Sequence, residues 1–149
     1  MKKILLLLIL TTLIGCGFKP IYSSKESDFK IIKIETDQNL LNRKFAKKLK
    51  SSSNEESNNR ISVKFNIKKE KLIKVKNKKN IPTIFELKIN LILTITDQEN
   101  NERTEELTVR TKYNNKDDKF ELSRYEKKLE DTAINQLFLD VIDFLSIDR

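Results

Sequence analysis

The chain has 149 residues, 30 lysines and arginines against 22 acidic side chains, a formal net charge of +8, and no histidine. Without histidine there can be no Ser-His-Asp triad, no histidine metal site and no imidazole proton shuttle. Its two glycines and single cysteine all fall within residues 15–17, so no Walker loop or dinucleotide-binding fingerprint can follow, and no cysteine set can hold zinc.

Met1-Lys2-Lys3 is followed by an uncharged run from Ile4 to Ile14 and then by Gly15-Cys16. A short basic segment, an apolar run and a small residue before a cut site are the parts of an export signal, predicted here over residues 1–15. The run falls well short of the roughly 20 apolar residues a permanent span requires. Leu13-Ile14-Gly15-Cys16 resembles the bacterial lipobox, which makes Cys16 the expected lipid attachment point and the first residue after cleavage. Residues 16–28, with Pro20 and a polar Ser/Lys/Glu run, read as a lipidated tether, and 29–149 as one domain.

Phe29 to Glu35 is apolar and β-branched, a predicted strand. Asp37 or Asn39 is placed to cap a helix reaching Lys50, with Leu41, Phe45 and Leu49 on one face and Arg43, Lys44, Lys47 and Lys48 opposite. Residues 51–59 read as a loop. Ile61, Val63, Phe65 and Ile67 then alternate with polar residues, and the parity resumes at Ile73 and Val75. A longer alternation runs from Phe85 to Ile95, and a last one through Leu107, Val109 and Tyr113. Period two with a polar second face predicts an antiparallel sheet covered on one side. Asparagine pairs at 58–59, 100–101 and 114–115 stand where glycine would otherwise make the turns. From Lys119 to Ser146, spacings of three and four through Leu122, Tyr125, Leu129, Ile134, Leu137, Phe138, Val141, Ile142 and Leu145 predict a long amphipathic helix, with Leu139 off the stripe and Phe144 at its margin. The order is β-α-β-β-β-α: an α+β two-layer sandwich, a four-stranded, mainly antiparallel sheet with two helices on one face.

Carboxylates are the only catalytic candidates left. Glu55-Glu56, Glu105-Glu106 and Asp117-Asp118 are adjacent pairs in loops or at strand ends, where solvated charge is the expected role. The expectation is a protein that is not an enzyme and uses no cofactor or metal. Its basicity is mostly lysine, 24 Lys to 6 Arg, and an exported lipoprotein meets little nucleic acid, so none is expected as a partner.

Cys16-Gly17-Phe18-Lys19-Pro20-Ile21-Tyr22 resembles the mature N-terminus of the LptE family of lipopolysaccharide-assembly lipoproteins, Cys-Gly-Phe-x-Pro-Leu-Tyr, with Ile21 in place of leucine. The motif covers seven residues; two helices on a four-stranded sheet is also that family's fold. The resemblance implies an outer-membrane lipoprotein on the periplasmic side. Such a protein plugs an LptD-type β-barrel, assists its assembly and helps deliver lipopolysaccharide to the outer leaflet. Lys88, Arg110 and Lys112 on the polar sheet face, with Lys76, Lys78 and Lys79 near a strand end, are the candidate contacts to barrel or lipopolysaccharide. A generic envelope scaffold is the alternative reading.

Overall fold

The computed structural model describes residues 28–146, which form β1 (Lys30–Thr36), α1 (Leu40–Ser51), β2 (Arg60–Lys76), β3 (Pro82–Thr96), β4 (Glu102–Asn114) and α2 (Lys119–Ser146). This is the predicted β-α-β-β-β-α order, in one sheet of order β1-β2-β3-β4. β2, β3 and β4 are antiparallel neighbours, whereas β1 runs parallel to β2. Parallel neighbours need a crossover, and α1 supplies it. The sheet is therefore mixed, mostly antiparallel.

The alternation seen in the sequence decides which face is buried. Phe85, Leu87, Ile89, Leu91, Leu93 and Ile95 of β3 are all buried, as are Ile61, Val63, Phe65 and Ile67 of β2. Leu122, Ile134, Leu137, Val141 and Leu145 of α2 cover them, together with Phe45 and Leu49 of α1. Phe45 stacks edge-on against Phe65 and Phe138, with ring centroids 5.1 and 6.5 Å away, so it joins both helices to the sheet. Phe144 packs at the core's margin, while Leu139 is exposed.

The α1 cap is Asn39, not Asp37: its side chain accepts from the Asn42 backbone N–H at 2.9 Å. Asn42 itself is fully buried, on the same stripe as Phe45 and Leu49. Its Nδ2 donates to the Asp37 carbonyl and to Asn66 Oδ1, and its Oδ1 accepts from the Ile67 N–H at 2.9 Å. Every polar atom of this amide thus has a partner, as burial requires. The basic side of α1 is only partly solvated. Arg43 and Lys47 are exposed, but Lys44 reaches Asp131 of α2 at 3.3 Å and Lys48 donates to Asn135 at 2.5 Å.

Two hairpin turns share one design. In 77–81 and 97–101 the first side chain, Asn77 or Asp97, accepts from the N–H groups two and four residues on. The fourth residue, Asn80 or Asn100, adopts left-handed φ of 60° and 63°. Asparagine does the work of glycine there, because its short amide tolerates that region better than other side chains. Asn100 was expected at a turn centre. Asn80 was not, and Asn58, Asn59, Asn114 and Asn115 have ordinary negative φ; Asn114 still belongs to β4, and Asn115 bonds back to Thr83 and Pro82. We expect Asn100→Ala to lower the urea-unfolding free energy by about 1–2 kcal/mol, the cost of a left-handed alanine, while Asn100→Gly leaves it level or slightly higher.

Candidate functional site

With both helices on one side, no described element covers the other face of the sheet over β2, β3 and β4. Its rungs follow from the pairing: Lys64, Thr94 and Thr104; Asn66, Ile92 and Glu106; Lys68, Asn90 and Thr108; Glu70, Lys88 and Arg110; Leu72, Glu86 and Lys112. Directly paired residues share a face. At one end the neutral side chains of the face satisfy one another. Asn90 accepts from Thr108 at 2.5 Å and donates to Glu106, and the Thr94 and Thr104 hydroxyls meet at 3.0 Å.

The other end is basic. Lys88 and Arg110 are cross-strand neighbours, Lys112 lies one rung on, and Lys76, Lys78 and Lys79 sit on the hairpin beyond them. The six predicted residues thus gather along one end of the sheet, over six β3 positions or about 20 Å at 3.4 Å per residue. They are not equivalent. Lys88 is half-buried and 3.8 Å from Glu70, whereas Lys76, Lys78, Lys79, Arg110 and Lys112 are exposed.

Sequence reading missed the residues that organise this end. The register shifts between Ile73 and Val75, so Val75 pairs with Ile84, whose even-numbered position on β3 belongs to the open face. Leu72, Val75 and Ile84 form an apolar strip among the lysines. Beneath it Glu86 is only 5% exposed, with Oε1 3.1 Å from Lys74 Nζ but outside hydrogen-bond geometry. A carboxylate so desolvated needs a cation close by; Lys74 provides it, and Lys112 is its cross-strand neighbour on β4. A glutamate within an otherwise apolar alternation, Phe85-Glu86-Leu87, was the available signal.

On the helix side of the same end, Glu126 of α2 accepts from Lys71 at 2.6 Å and from the Tyr113 hydroxyl at 2.8 Å. Lys71 also stands 4.2 Å from the Phe85 ring centre. Burial would raise the Glu126 pKa, but the bonds from Lys71 and Tyr113 outweigh it and hold the carboxyl below its usual range. Burial, reinforced by Glu126, pushes the Tyr113 phenol well above its usual value. A depressed carboxylate stabilises the fold above its unfolded pKa of about 4.3 and loses that contribution as pH falls. A raised phenol gives its full contribution below about pH 10 and loses it as pH rises further. We therefore expect Glu126→Gln to flatten the acid-side fall in unfolding free energy below about pH 4.3, and Tyr113→Phe the alkaline fall above about pH 10. Denaturation midpoints across pH check both.

The carboxylate pairs do not converge. Glu55 pairs with Lys30, Asp118 caps α2 by accepting from the Phe120 and Glu121 N–H groups, and Glu105 and Glu106 occupy successive positions of β4, hence opposite faces. No cluster of three or more metal-ligating side chains, and no helix long and apolar enough to cross a membrane, occurs among the described residues. Cys16, Gly17, Phe18, Pro20, Ile21 and Tyr22, with the predicted signal over 1–15, lie outside the described residues.

No protein-family model matches the chain, and no curated protein does. Solved structures do. Rare lipoprotein B from Shewanella oneidensis superposes with a TM-score of 0.58 at 11% identity, over 78% of this chain and 97% of its own. A minor lipoprotein from Acinetobacter baumannii gives 0.59 at 16%, over 80% and 92%. Uncharacterized lipoprotein B from Nitrosomonas europaea gives 0.57 at 18%, over 89% and 94%. The fold is shared with bacterial lipoproteins. At such identities the likeness is one of architecture, and it covers nearly the whole of each of those chains.

Proposed function

We propose that this is an envelope lipoprotein, anchored through Cys16 at the periplasmic side of the outer membrane. Its domain occupies an LptD-type β-barrel, assists barrel assembly and helps pass lipopolysaccharide outward. The observation that carries this reading is the one-sided sheet, whose open face is polar along most of its length. Large barrels have polar interiors, and the polar part of this face can meet one without wetting apolar surface. The lipobox, the Cys16–Tyr22 motif and a fold shared with lipoproteins support the same conclusion. Lipid A phosphates call for charge-assisted hydrogen bonds from lysine or arginine. Arg110, Lys112, Lys76, Lys78 and Lys79 are exposed to offer them, and Lys88 can do so on leaving Glu70. The Leu72, Val75 and Ile84 strip lies beside them for the base of an acyl chain. No catalytic step is involved.

The test is affinity purification of the tagged, lipidated protein from detergent-solubilised envelopes. A stoichiometric large β-barrel carrying the lipopolysaccharide-transport sequence, retained in high salt, is the expected result. Recovery alone, or with an unrelated complex, overturns the barrel assignment and leaves a generic envelope scaffold. Loss of the barrel from a Lys88→Glu/Arg110→Glu variant that keeps its fold is expected if the open face is the contact.

A further inference from the structure

The sheet has an unfinished edge. β1 ends at Thr36, opposite Phe65, while β2 continues to Lys76. Past that point β2 has β3 on one side and, among the described residues, no strand on the other. The first outward-facing amide, Ile67 N–H, is closed off by the buried Asn42 side chain. Outward amides recur every second residue, which puts those of Lys69, Lys71 and Ile73 on the open edge. None has a backbone partner there among the described residues. Space is present too: a cleft of about 520 Å³ opens where β1 stops, bounded by Leu40 and Leu41 of α1, Ile67 and Lys69 of β2, and Glu130 of α2. Leu40 in the cleft is 59% exposed, and Ile73 farther along β2 is 50% exposed, so apolar side chains flank the edge.

Charge says what fits. Residues 68–79 hold seven lysines and one glutamate. Lys69, Lys71 and Lys74 are held by Glu130, Glu126 and Glu86, and Glu70 by Lys88, which leaves Lys68, Lys76, Lys78 and Lys79 to make the edge positive. Lysines on an edge keep two copies of it from pairing, and the same charges favour a strand bearing carboxylates. The β4 edge carries both signs (Glu102, Arg103, Glu106 and Arg110) and selects no such partner. We propose that the open edge of β2 over residues 68–76 docks an extended acidic segment of another protein, which adds to the sheet in line with β1. Main-chain hydrogen bonds would give the affinity, and the lysines the choice of partner. This holds whether or not the protein sits in a barrel.

The experiment is amide hydrogen exchange on the full chain in detergent micelles, with a synthetic peptide alternating valine with glutamate. A second peptide has lysine in place of glutamate. The glutamate peptide is expected to slow exchange at Lys69, Lys71 and Ile73 by at least about tenfold, and the lysine peptide to leave it unchanged. Ile73→Pro removes an edge donor without taking a bond from the β2–β3 ladder and is expected to abolish the slowing at Lys69 and Lys71. Should that variant fail to fold, Lys68→Glu/Lys76→Glu decides, because it alters only exposed side chains and is expected to weaken the glutamate peptide and admit the lysine one. No slowing with either peptide, equal slowing with both, or slowing at Thr108 and Arg110 of β4 instead overturns the proposal.

Discussion

Cys16→Ala is expected to leave no acylated N-terminal peptide in the mass spectrum of the protein, and to leave its hold on the outer membrane to the barrel contact alone. The reasoning is additive along acyl chains. Each buried methylene contributes about 0.8 kcal/mol of membrane affinity, a single chain binds only marginally, and lasting anchorage needs more than one. A lipobox cysteine is the attachment point for all of them, so one substitution removes the whole anchor. The basic end of the sheet offers only Coulombic attraction, which salt screens. A variant that still yielded an acylated N-terminal peptide would show the anchor to lie elsewhere, and Cys16 to be an ordinary thiol; retention through a high-salt wash without acylation would point to the barrel contact instead.

Phe45→Ala should be the most damaging substitution inside the domain, costing about 3–5 kcal/mol of unfolding free energy. Its side chain has no exposed area and is the only ring described that touches both Phe65 of β2 and Phe138 of α2. Truncation leaves a cavity where three elements meet, and forfeits edge-to-face contacts worth about 0.5–1.5 kcal/mol beyond burial. Guanidinium unfolding with an unchanged m-value is the measurement. A loss under about 1 kcal/mol would mean the site collapses around the missing ring, and α1 would then be a loosely held cover rather than part of the core.

Much of the fold was legible because a one-sided sheet writes itself as strict alternation. Every odd position of β3 from Phe85 to Ile95 is apolar and buried, and a helix stripe at spacings of three and four marks α2 as plainly. Three features escaped, each for a physical reason. Parallel pairing of β1 leaves no local trace, since the seven-residue strand reads alike in either direction. The register shift at Ile73/Val75 breaks parity without glycine or proline to announce it. Asn42 occupies an apolar stripe position because it must satisfy a strand amide, a need visible only once α1 lies against β2. The six basic candidates were chosen on separate stretches, and pairing brought them to one end. Glu86, which holds Lys74 there, stands at a polar-face position of the alternation, yet the structure buries it.

The mixed sheet also sets an order of assembly. The β2–β3 and β3–β4 ladders each begin with partners six residues apart, Lys76 with Pro82 and Thr96 with Glu102, and can zip outward from their turns. β1 has no such start: its first pair, Lys30 with Arg60, joins residues thirty positions apart, and α1 must form between them. Contacts that close long loops come late and slowly. The meander can therefore form while β1 is still searching for its place, and protection of the β1 amides should lag behind that of β3. Until β1 arrives, the whole outward edge of β2 stands open, not merely its far half.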